Sequence, residues 1–210
     1  MDLPNQLARA AEDGDAQTVT RLLAEGAEAD APNVRRCTPL ELAVSAGRPE
    51  TVRLLLAAGA DPGGPAGEYG ELTPMLLAAM GPDLEVVRAL LDAGAPVGPQ
   101  GKMELVPLPV AATSGDEGHP HIVALFLDRG QDIDVVMKGH TALELAVDQG
   151  RPRMARWLLG RGAKTTEHAL SVAYHRARRS PEEEALYKPL FLALYAARPG
   201  EKGKEGGDGP

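Results

Sequence analysis

A six-residue pattern recurs four times along this chain at nearly constant spacing, and it constrains the fold more than any other feature. Thr38-Pro39-Leu40-Glu41-Leu42-Ala43 returns as Thr73-Pro74-Met75-Leu76-Leu77-Ala78. It returns again as Val106-Pro107-Leu108-Pro109-Val110-Ala111 and as Thr141-Ala142-Leu143-Glu144-Leu145-Ala146. The starts at 38, 73, 106 and 141 are 35, 33 and 35 residues apart, and a fainter copy begins at Asn5 with Leu7 and Ala10 in the same slots. Each copy is followed by a second apolar stretch that ends at a glycine: Gly26, Gly59, Gly94, Gly130 and Gly162.

One unit shows what the repeat encodes. Thr38 is placed to cap a helix, with Pro39 at its first position, where no backbone N–H is missed. Leu40, Ala43 and Val44 share one face at helical spacing, and Gly47 allows the left-handed turn that stops this helix A. Arg48-Pro49-Glu50 opens a helix B with an apolar stripe of Val52, Leu55 and Leu56, closed by Gly59. Helices of about 11 residues or fewer are not stable alone, so they must be buried by stacking on their neighbours. Aromatics are only 3% of the 210 residues. That suits thin layers of helices closely packed through Ala, Leu and Val.

The T-P-L-x-L-A motif, the Gly59-Ala60-Asp61 after helix B and the period of about 33 residues resemble the ankyrin-repeat family. The resemblance covers roughly residues 3–166. It implies an all-α solenoid of about five helix-turn-helix repeats (1–33, 34–67, 68–101, 102–135, 136–166). A C-terminal helical capping unit over 167–198 follows, and 199–210 reads as a disordered tail. The family usually carries His after T-P-L, where it ties neighbouring loops. Here Glu41, Leu76, Pro109 and Glu144 stand in that slot, so the ties between repeats are expected to differ, and Pro109 is expected to shorten or delay its helix A. Three extra residues separate the helices of repeat 4 before His119-Pro120-His121. Ser180-Pro181-Glu182-Glu183-Glu184 is a strong helix start. The helix it opens has Leu186, Tyr187, Leu190 and Leu194 as anchors and a kink expected at Pro189.

Signatures of catalysis are absent from the sequence: no phosphate-binding Gly-Lys-Ser/Thr loop, no His-Glu-x-x-His and no Gly-x-Ser-x-Gly. The reading is therefore a non-enzyme with no cofactor and no metal. The one cysteine, Cys37, excludes an intramolecular disulfide and points to a reducing, cytoplasmic setting; beside Arg35 and Arg36, its pKa could be lowered. Met1 to Gly14 does not read as a signal peptide, and no apolar run approaches a membrane span. His119 and His121, near Asp116 and Glu117, are the residues on which a metal-dependent enzyme would rest, but His-Pro is common at the start of an ankyrin helix B. His168 and His175 read as core-edge or solvated residues.

The family resemblance implies binding of another protein through loop tips and the exposed face of the A helices, as an adaptor or an inhibitor or immunity-type protein. The tips carry Tyr69, Leu72, Met103, Val136 and Met137, with Leu105 and Val135 as fellow candidates that could equally tuck under their own loops. Aromatics and Met are enriched where interfaces are strongest. The exposed A-helix slots are expected at Glu41, Ser45, Met80, Thr113, Asp148 and Gln149. Residues 1–150 hold 23 acids against 10 Lys and Arg, whereas 151–179 hold one acid against eight bases. The acidic body favours a basic protein partner, with a monomer as the expected state. The basic end is the one place for an alternative, nucleic-acid contact, but it lacks interleaved aromatics.

Overall fold

The computed structural model describes residues 2–66, 70–101 and 103–198. Twelve helices in this range form six consecutive A/B pairs: α1 (Leu3–Asp13) with α2 (Ala16–Ala24), α3 (Pro39–Ser45) with α4 (Pro49–Ala57), α5 (Pro74–Met80) with α6 (Leu84–Asp92), α7 (Pro107–Thr113) with α8 (Pro120–Asp128), α9 (Ala142–Asp148) with α10 (Pro152–Gly160), and α11 (Glu167–Arg176) with α12 (Pro181–Ala196). Each A helix packs on the next, from α1 through α11; in the B layer α2, α4, α6 and α8 stack in turn and α10 meets α12. One continuous apolar core runs between the layers. Leu22, Leu55, Leu90, Phe126 and Leu158 line it from the B side, and Leu7, Leu40, Met75, Leu108 and Leu143 from the A side.

The local reasons match the repeat chemistry. Thr38, Thr73, Thr141 and Thr166 cap their A helices, and Ser180 caps α12. Thr141 forms a full capping box with Glu144. Helix α7 begins at Pro107 and is as long as α3 and α5, so Pro109 neither shortens nor delays it. The amides of a helix's first turn have no intrahelical acceptor, so a third-position proline forfeits nothing. Helix α12 runs continuously through Pro189. Its Tyr187, Leu190 and Leu194 are buried, but Leu186 is exposed and is not an anchor.

In regular repeats the first residue after the inter-helix glycine donates its N–H to the carbonyl of the repeat's alanine slot: Asp15 to Ala10, Arg48 to Ala43 and Arg151 to Ala146. In repeat 4, His119 makes the same bond to Ala111 at 2.8 Å. The three extra residues therefore bulge outward without disturbing the register. Gly118 sits at φ +75°, and a Cβ there would come within 2.5 Å of the Ala112 carbonyl oxygen, so only glycine closes the bulge.

The loops between pairs are narrow hairpin fingers. β1 (Val136–Met137) pairs antiparallel with β2 (His140–Thr141). Single bridges Ala66–Leu72 and Gln100–Leu105 close two others. Before α3 the Asn33 N–H bonds to the Cys37 carbonyl at 3.0 Å.

Candidate functional site

The fingers and the A-helix ends place the side chains that the sequence marks for binding. Met103 on its finger is 47% exposed, Val136 is 54% exposed, and Met80 at the end of α5 is 39% exposed. Ser45 and Gln149 are exposed; Thr113 is half-buried, its hydroxyl donating to the Pro109 carbonyl at 2.8 Å. Leu72, Leu105 and Val135 are half-buried and pack against the core, so these three support their fingers from beneath. Tyr69 lies outside the described residues.

Three expectations are corrected. Met137 is buried, because the two-residue strand alternates: Val136 faces outward and Met137 inward, where its Sδ accepts the Val106 N–H at 3.3 Å. Glu41 is buried rather than an open slot. It sits by Cys37, whose thiol is pushed up, first by burial and then by the Glu41 charge; Arg35 pulls the other way and loses. Cys37 is therefore not an activated thiolate.

One exposed tip escapes a reading based on the apolar content of the longer loops. Val34, on the finger before α3, is 82% exposed. Its backbone N–H is held by the Asn5 side chain at 2.9 Å, so the tip is positioned from repeat 1. Arg36 beside it takes φ 65° to turn the finger. Behind these tips a cleft of about 320 Å³ opens among the first fingers, lined by Asp30, Pro32, Arg36, Asp61, Pro65 and Pro74.

The two histidines of repeat 4 do not meet the neighbouring acids in a shared site. His119 Nε2 lies 3.1 Å from the Met80 carbonyl oxygen, and His121 is exposed on α8. Part of the basic end makes structural contacts. Arg151 donates to the Ser114 carbonyl and Arg176 to the Asp148 carbonyl, while Arg153 pairs with Glu117 and Lys164 with Asp134. Arg161 stacks on Trp157 and Arg178 on Tyr174. No helix among the described residues is long and apolar enough to cross a membrane.

The sequence comparisons agree with this architecture. A family model for ankyrin repeats (3 copies) matches residues 7–101 and again 75–169. The chain belongs to the ankyrin-repeat family. Ankyrin repeats are in general protein-interaction modules. Among its relatives is the E3 ubiquitin-protein ligase KEG of Arabidopsis thaliana, 34% identical over 103 residues, which is 49% of this chain and 6% of that protein. Another is the B-cell lymphoma 3 protein homolog of Mus musculus, 34% identical over 162 residues, or 71% of this chain and 34% of that protein. The match thus spans about a third or less of the length of either relative.

Proposed function

We propose that this ankyrin stack is a non-catalytic binding module, acting in the cytoplasm, that holds a basic protein partner against its finger tips and the exposed ends of its A helices. The observation that carries this reading is the set of large apolar side chains left open there, Val34, Met103 and Val136, together with Met80. Each is held on a hydrogen-bonded finger or a helix end, so little conformational entropy is lost on contact. The acidic excess over residues 1–150 supplies the field that draws a basic partner in and raises its association rate. The cleft behind the first fingers offers Asp30 and Asp61 to a basic side chain. The lone free cysteine suits a reducing compartment. Both an adaptor and an inhibitor of immunity type would use such a surface. The absence of interleaved aromatics in the basic stretch 151–179, together with the structural hydrogen bonds of Arg151 and Arg176, favours protein over nucleic acid as the target.

The test is affinity capture with the full chain as bait, compared with a triple variant Val34→Asp, Met103→Asp, Val136→Asp whose helical circular dichroism is unchanged. The expected result is a partner retained by the parent and lost from the variant. Equal capture by both would show that the tips do not make the contact.

A further inference from the structure

Three side chains with metal-binding chemistry converge where repeat 5 meets the cap. His140 stands on β2, Asp148 is the last residue of α9, and His168 lies in the first turn of α11. Their candidate ligand atoms all lie within 4.8 Å of one another. His168 Nε2 faces both Asp148 carboxylate oxygens, at 2.8 and 3.0 Å. The two imidazoles meet edge to face with centroids 5.7 Å apart.

The surroundings prepare the trio. His140 Nδ1 lies 3.2 Å from the Lys138 carbonyl oxygen. A carbonyl can only accept, so Nδ1 carries the proton and Nε2 keeps its lone pair. Histidines that bind metals usually hand their second N–H to a carbonyl or carboxylate in this way, which fixes both tautomer and ring. Glu144 lies beside both rings. Burial raises its carboxyl, but the Thr141 N–H, the Thr166 hydroxyl and the nearby His168 and His140 outweigh this and hold it below the usual carboxylate value. Its Oε2 already accepts the Thr141 N–H at 2.9 Å, so Glu144 contributes negative field rather than a ligand.

We propose that His140, Asp148 and His168 form a site for a divalent transition-metal ion of the zinc type, with two imidazole nitrogens and one carboxylate oxygen as ligands and a fourth position open to solvent. Two nitrogens and one oxygen suit zinc and its neighbours and are a poor set for calcium or magnesium, which take oxygen. With ligand bonds of about 2.0–2.2 Å, ligand atoms stand roughly 3.3 Å apart, so the His168–Asp148 contact opens slightly and the His140 ring swings in by about 1.5 Å or less. The His140 ring is half-buried and the His168 ring more open, which leaves room for that motion. Ligation needs the Nε2 lone pair of His168, so the proton that Nε2 shares with Asp148 passes through solvent to Nδ1 of the same ring, which stays a neutral imidazole. Because the ligands come from a finger, an A helix and the cap, the ion would clasp the cap to repeat 5 and add its binding energy to the folded state.

The test is equilibrium dialysis of the tag-free full chain against micromolar zinc, with cobalt(II) in a parallel sample read by visible absorption. About one zinc per chain is expected, with cobalt bands of four-coordinate intensity and a thermal transition raised by zinc and restored by EDTA. His140→Gln and His168→Gln, with unchanged circular dichroism, should each weaken binding by at least ~10-fold, the order seen when even a supporting residue is lost. His121→Gln should bind like the parent. Well under one zinc per chain, or parental binding by both His140→Gln and His168→Gln, would overturn the site.

Discussion

The contact between repeats 4 and 5 and the contact between repeats 2 and 3 both stack one A helix on the next but are braced very differently. At the 4–5 junction, Arg151 reaches back from the start of helix B and donates to the Ser114 carbonyl at the end of α7, at 2.8 Å. Asp134 accepts the Lys164 N–H of the next loop, at 2.9 Å. The 1–2 junction repeats both devices, with Arg48 donating to the Glu12 carbonyl at 3.2 Å and Asp30 accepting the Asp61 N–H at 3.1 Å. Gly14, at φ +79°, clears the way: a Cβ there would come within 2.7 Å of the Arg48 Cδ. The 3–4 junction keeps the first device through His119 and Met80. At the 2–3 junction the corresponding residue is Asp83, which has no proton to donate and caps α6 instead. Gly63 stands in the aspartate slot, and Pro96 stands where its N–H donor would be.

The difference shows that one position chooses between two jobs. A residue at the start of helix B either caps its own helix, as Asp15 and Asp83 do, or reaches to the carbonyl end of the preceding A helix, as Arg48, His119 and Arg151 do. The second choice places a donor, cationic in the arginines, at the negative end of a helix dipole. Among the described residues, the 2–3 junction lacks both bracing devices and carries an exposed Arg53–Glu85 pair, which contributes little. The cleft among the first fingers runs from the Asp30–Asp61 brace to Pro74 beside the 2–3 junction.

The largest expected effect would break the comparison if it came out unequal. Leu55→Ala beside the 2–3 junction and Leu158→Ala at the 4–5 junction both empty fully buried sites. Each should lower stability by ~2–5 kcal/mol in urea unfolding. A much smaller loss at Leu55 would mean that the less braced junction is also the less tightly packed one. Next comes Arg151→Met, which keeps the apolar stem and removes the donor. It should cost ~1.5–3 kcal/mol, the range for a hydrogen bond involving a charged group. An unchanged midpoint would show that the brace is ornamental.

The sequence made the helix pairs legible because each device is local. Thr38-Pro39 caps and starts a helix, and Gly47 and Gly150 stop one, all within a few residues of chain. What was hidden depends on partners far away in sequence. Glu41 is polar and looks solvent-facing on its helix until Cys37 and the finger above it are in place. Met137 looks like a loop tip until the short strand assigns it the inward side. Asp148 looks like a free acid until His168, twenty residues on, is brought to it. The job of Arg151 was equally unreadable, because an arginine at a helix start usually signals only solvation.

A smaller effect sharpens the contrast. Asp134→Ala should cost ~1 kcal/mol and speed hydrogen exchange at the Lys164 amide selectively. Gly63→Ala, in the same slot at the unbraced junction, should leave the Pro96 loop and its neighbours unchanged, since a Cβ there makes only ordinary contacts.

The proposed recognition surface is tested most directly by hydrogen exchange of the full chain, alone and with the captured partner bound. Slowed exchange at 34–37, 100–105 and 136–141 and at the C-terminal ends of the A helices is the predicted pattern. Protection confined to the outer faces of α2, α4, α6, α8 and α10, with the fingers unchanged, would contradict the assignment and place the partner on the opposite side of the stack.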